Sequence, residues 1–201
     1  MEQRKPPQYI LDVFADPTCV KDIVRGILHT IFFHRYFPSI RPSSIEVLDL
    51  TLPLVADPEL ETLIDTRVGQ LIRQLSSTSS PKSSVRGSLV VQFFEKKRRK
   101  GGGLGWFTSG AKGDEEVCWE SWCLEVTLAT PKTEIGRPSM PGLVMKAIGS
   151  TLQKTAMKII TLVNRDKDHI PPITTSETNP FPFHIELNPR VEGWGKSIGM
   201  F

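Results

Sequence analysis

The sequence predicts an α+β fold, with three helices packed on a mainly antiparallel sheet. Three observations carry this. Three segments place apolar residues at helical spacing. Five shorter segments alternate apolar and polar residues as strands do. And two of those strands are separated by a long glycine-rich stretch, the pattern of an antiparallel hairpin with an extended, protruding tip. The 201 residues are read as one domain spanning 1–201.

The first strand is Tyr9 to Ala15. Asp16-Pro17 then reads as a helix N-cap followed by proline in the first turn. Val20, Ile23, Val24, Ile27, Leu28 and Ile31 form the stripe of the first helix, and Pro38 ends it. Phe32, Phe33, Tyr36 and Phe37 widen its apolar side. Leu48, Leu50, Leu52 and Leu54 alternate with polar residues or proline, giving a half-buried strand with Pro53 near a sheet edge. Asp57-Pro58 repeats the capping device, and Leu60, Leu63, Ile64, Val68, Leu71, Ile72 and Leu75 follow as the second helix.

Leu89, Val91 and Phe93 share one face of the next strand, with Val90 and Phe94 on the other, so it belongs inside a sheet. Its partner runs from Val117 to Ala129, with Trp122, Leu124, Val126 and Leu128 on one face and Trp119, Ser121, Cys123, Glu125 and Thr127 on the other. The loop 100–116 lies between them. A third helix is expected over about 141–164 on the stripe Val144, Ile148, Leu152, Ile159 and Val163. An extended segment starts at His169-Ile170-Pro171-Pro172, and Phe181, Phe183, Ile185 and Leu187 mark a last strand.

Composition narrows the function. The net charge is +3, yet Lys96, Lys97, Arg98, Arg99 and Lys100 supply five cations in one run. Without that run the chain would be slightly acidic, which argues against nucleic-acid binding. No stretch approaches the ~20 apolar residues of a membrane span. The N-terminus has no apolar run behind its charges and does not read as a secretory signal. Three cysteines are too few for a disulfide framework, so reduced thiols in the cytosol are expected.

Catalytic patterns are absent: there is no nucleophile elbow, phosphate-binding loop or zinc-protease motif. Glycines 101–103 and 105 lack the lysine and the helix that a phosphate cradle needs. His29 and His34 stand five apart, roughly 140° around a helix, so they do not share a face for a metal. Cys118 and Cys123 point to opposite faces of a strand. We expect no metal, no cofactor and no enzymatic activity; an enzyme with an unrecognised site is the remote alternative.

The basic run suits a solvated hairpin end that blocks edge pairing, an anionic-lipid patch with peripheral membrane association, or a nuclear-import signal. Trp106 and Phe107 stand between glycine-rich flanks. Either the loop folds back and buries them, or they are exposed for a partner to dock on.

Together these features resemble the autophagy-related protein 101 family. The resemblance rests on Leu28-His29-Thr30-Ile31-Phe32-Phe33-His34-Arg35, on Phe94-Glu95-Lys96-Lys97-Arg98 with the aromatic loop, on Cys118-Trp119-Glu120-Ser121-Trp122, and on Val163-Asn164 with His169-Ile170-Pro171-Pro172. It implies a HORMA-like fold and a non-enzymatic adaptor of the autophagy-initiating kinase complex. Such an adaptor pairs with and stabilises the HORMA domain of autophagy-related protein 13. It contacts other subunits of that complex and recruits downstream factors through a Trp-Phe finger, supporting autophagosome formation. The finger carries over to Trp106 and Phe107; in animal members a proline separates the two aromatics, and here they are adjacent. Residues 169–201 correspond to the segment called the safety belt. The apolar excess at Phe32, Phe33 and Phe37 suggests an interface with the partner HORMA domain, or cover by another segment. The implied location is the cytoplasm, and the phagophore assembly site on induction. The alternative within the same fold is a HORMA protein that clamps a peptide with its C-terminal segment.

Overall fold

A computed structural model describes residues 5–39, 41–77, 85–97, 115–128, 141–174 and 179–189. The order is β1 (Gln8–Ala15), α1 (Val20–Arg35), β2 (Pro42–Val47), β3 (Leu50–Val55), α2 (Pro58–Ser77), β4 (Arg86–Lys97), β5 (Glu115–Leu128), α3 (Pro141–Arg165) and β6 (Phe183–Leu187). Four strands form one sheet in the order β1-β5-β4-β6, and β2-β3 make a separate hairpin. Within the sheet β1 runs parallel to β5, while β5-β4 and β4-β6 are antiparallel. The α+β arrangement read from the sequence is therefore present, with one strand more than expected.

That extra strand is β2. Pro42-Ser43-Ser44 resembles a loop in isolation, but β2 pairs with β3 from Pro42 opposite Val55 to Val47 opposite Leu50. The turn falls on Leu48-Asp49, and Leu48 adopts a φ of 55°, a left-handed conformation unusual for a branched side chain. Leu48 therefore belongs to the turn rather than to the alternating strand face.

The first capping device also sits differently from expectation. Asp16 accepts bonds from Thr18 through its carboxylate and from Cys19 and Val20 through its carbonyl, so it builds a turn ahead of the helix. Cys19 is the N-cap and makes no side-chain cap bond. Asp57 does cap α2: one carboxylate oxygen accepts the backbone N–H groups of Glu59 and Leu60, each at 3.0 Å. Its other oxygen takes the Tyr36 hydroxyl at 3.1 Å, tying the end of α1 to the start of α2.

Helix α1 is the centre of the molecule. Its buried residues include Gly26, His29 and Thr30 as well as the predicted stripe, because it is covered on several sides. It packs on the sheet through β1, between α2 and α3, with the β2-β3 hairpin against its remaining face. Gly26 makes the hairpin contact close: a Cβ there would lie 2.8 Å from Leu52 Cδ1 and 3.1 Å from Val47 Cγ2. A methyl meets only movable side-chain ends, whereas a branched residue would wedge the two elements apart. Gly26→Val should thus destabilise the fold by about 2 kcal/mol through overpacking. A thermal melt should show a fall of roughly 4–8 °C; an unchanged melting temperature would mean that the hairpin is not seated on α1.

Candidate functional site

A β-bulge accompanies a concentrated polar cluster in the core. Phe93 pairs with Glu120, but Phe94 pairs with Cys118, leaving Trp119 as the additional residue on β5. The bulge changes the strand's parity. Trp119, expected beside Ser121 and Cys123, instead packs with Phe93 and Phe181, with ring centroids 5.6 and 5.2 Å away. Glu120 joins Trp122 on the helix-covered face and is completely buried.

A buried carboxylate requires compensation, and Glu120 receives it from three elements. Arg35, in the last turn of α1, donates its Nε–H to both carboxylate oxygens at 2.9 Å. The Trp122 indole N–H donates to Oε1. His169 Nε2 lies 2.6 Å from Oε2 and must carry a proton there, because the carboxylate can only accept. Arg35 spends its remaining donors on the carbonyls of His34 and Asp166. Asp166 accepts the Tyr9 hydroxyl at 2.9 Å and both arms of Arg165. The Arg165 bonds hold the Asp166 carboxyl down at about 2, while burial and the bond to Asp166 push the Tyr9 phenol upward. The network thus joins β1, α1, β5, the end of α3 and the segment leaving it.

Beside this network lies an open cleft of 1120 Å3. Pro6 and Pro7 line it ahead of β1, and Pro171 and Pro172 line it beyond α3. Trp119, Tyr9 and Ile170 supply its apolar lining, with Lys5, Lys97 and Lys167 among its charges.

The residues singled out from the sequence fall elsewhere. Trp106 and Phe107 lie outside the described residues, as do Arg98, Arg99, Lys100 and the rest of the connection between β4 and β5. Lys96 and Lys97 end β4. Phe32 needs correction as an interface residue. It is fully buried, with Phe183 of β6 4.8 Å and Phe93 5.5 Å from its ring, so the last strand covers it within the chain. Phe33 is half-buried against the core. Phe37 packs on Phe181 yet stays 37 % exposed. His29 is buried with neither ring nitrogen bonded, and desolvation lowers its pKa to about 4. Burial also lowers that of His34. Among the described residues no group of His, Cys, Asp and Glu could hold a metal, and no helix is long and apolar enough to cross a membrane. The cluster around Glu120 went unnoticed in the sequence because its members are 85 and 49 residues apart.

Fold and site define a small α+β domain whose C-terminal segment is pinned to the central helix and sheet by a buried carboxylate. The sequence pattern of autophagy-related protein 101 matches residues 12–177, and the chain belongs to that family. The autophagy-related protein 101 of Arabidopsis thaliana is 29 % identical to it, over 84 % of this chain and 80 % of the relative. That of Schizosaccharomyces pombe is 25 % identical, over 88 % and 84 %. The α+β arrangement is consistent with the HORMA-like fold expected for the family.

Two measurements check the buried groups. Arg35→Met leaves Glu120 without its cation and should cost about 3–5 kcal/mol. Arg35→Met with Glu120→Leu should cost clearly less than the two single changes combined. Additive losses in chemical denaturation would show that the pair is not coupled. For His29 the folded pKa lies below the ordinary value of 6.5. The unfolded chain therefore binds a proton between pH 6.5 and 4 that the folded chain refuses. Stability should be full above that window and fall as pH drops through it, by about 2–3 kcal/mol at pH 4.5. His29→Leu should flatten this dependence in urea titrations at pH 7 and 4.5; an unaltered slope would contradict it.

Proposed function

We propose that this chain is a non-enzymatic adaptor of the autophagy-initiating kinase complex, pairing with and stabilising the HORMA domain of autophagy-related protein 13. The observation that carries this reading is membership of the autophagy-related protein 101 family across residues 12–177. Exposed apolar side chains support it. Helix α3 leaves Val144, Met145 and Met157 exposed, the last at 54 %, and Phe37 adds apolar surface beyond α1. A partner that covered them would remove that apolar surface from water.

In the same reading Trp106 and Phe107 recruit downstream autophagy factors. Their support is the sequence alone: two large aromatics between glycine-rich flanks. The neighbouring basic run, Lys96 to Lys100, favours an acidic partner or a peripheral contact with anionic lipid. The place of action is the cytoplasm, moving to the phagophore assembly site when autophagy is induced.

Co-expression with the partner HORMA domain should yield a heterodimer on size exclusion; separate elution at micromolar concentration would overturn the pairing. Met157→Glu should weaken the heterodimer and leave the melting of the isolated chain unchanged. Truncating Trp106 and Phe107 to Ala should change stability by about 0.5 kcal/mol or less. It should weaken recruitment by about thirtyfold for each anchor and block autophagic flux while the heterodimer persists. Normal flux in that double variant would remove the role of the loop.

A further inference from the structure

The cleft beside the Glu120 cluster has both walls held by bonds within the chain and, among the described residues, more unpaired cations than carboxylates. We propose that it binds an extended acidic peptide segment of a partner protein.

The first support is that both walls are fixed before any ligand arrives. On one side the Pro7 carbonyl accepts the Ser121 backbone N–H at 3.1 Å, which holds the chain ahead of β1 against β5. On the other, His169 is bonded to Glu120 and the Ile170 N–H is bonded to the Lys167 carbonyl. Both walls carry consecutive prolines, Pro6-Pro7 and Pro171-Pro172. Prolines lack the N–H that a β-strand ladder needs, so an occupant is held by side-chain contacts rather than as an added strand. A tryptophan in the wall suits an extended, proline-containing occupant.

The second support is charge. Lys5, Lys97, Arg165 and Lys167 line the cleft against Glu95, Asp166 and Asp168. Lys97 is paired with Glu95, and Arg165 with Asp166. Lys5 and Lys167 meet no carboxylate among the described residues, and Asp168 is the one acid left without a cation. The free charges therefore favour carboxylates. The third support is Trp119, which lines the cleft at 5 % exposure with an indole N–H that finds no acceptor among the described residues. A buried donor without a partner costs roughly 1–3 kcal/mol, and the Trp119 ring is an aromatic surface an occupant of the cleft would meet.

The test uses the full chain and a labelled peptide of six Glu-Pro repeats, with a Lys-Pro peptide as control. Fluorescence anisotropy should show saturable binding of the Glu-Pro peptide only. Lys5→Glu with Lys167→Glu, both surface changes, should weaken it at least tenfold without altering the melting temperature. In a nitrogen-15 correlation spectrum the Trp119 indole cross-peak, assigned by its absence in Trp119→Phe, should move with peptide concentration. Absence of saturable binding overturns the proposal. So does binding indifferent to the two lysine reversals, or a stationary Trp119 cross-peak. Binding of phosphatidylserine vesicles that depends on Lys5 and Lys167, with none of the peptide, would assign the charge to a membrane and also overturn it.

Discussion

Much of this structure depends on one buried carboxylate. Glu120 has no access to water, and two of its three donors come from far along the chain: Arg35 at the end of α1 and His169 beyond α3, with Trp122 on the same strand as the third. A charge in that position is tolerable only with a cation and further donors held against it. The geometry of the cluster therefore fixes where α1 ends relative to β5, and where the chain goes after α3. Asp166 extends the constraint to β1 through Tyr9, whose ring lies 4.4 Å from that of Trp122.

The aromatic residues around the cluster serve the same end by packing. Phe32 of α1, Phe93 of β4, Trp119 of β5 and Phe181 and Phe183 of the last segment form a continuous set of edge and tilted contacts. The last strand thus closes the core over α1 as well as extending the sheet at β4. Asn188, at a φ of 41°, ends it with bonds to Ser88 on β4 and Gln74 on α2. Residues 179–189 of the C-terminal segment are integral to the fold, while α3 retains the exposed methionines Met145 and Met157.

What was legible in the sequence was what periodicity encodes. The stripes of α1, α2 and α3, the cap at Asp57, the pairing of β4 with β5 and the strand at Phe183–Leu187 all follow from local spacing. What was not legible depends on contacts between distant residues. Strand β2 exists because β3 pairs with it, and its own Pro-Ser-Ser start gives no strand signal. The bulge at Trp119 is set by register against β4, so alternation along β5 placed that side chain on the wrong face. The Phe32 interface failed for a related reason: an apolar excess on a helix is equally well covered by a later segment, and here β6 covers it. No spacing rule links Arg35, Glu120 and His169. The aromatic pair Trp106-Phe107 lies outside the described residues.

The bond from His169 to Glu120 pins the segment after α3, while Arg35 and Trp122 keep the carboxylate satisfied without it. Hydrogen–deuterium exchange of His169→Ala against the unaltered chain tests this directly. Exchange should quicken only in residues 166–174 and β6, with α1 and β5 still protected. Unchanged exchange in that segment, or loss of protection spread evenly over the whole domain, would contradict it.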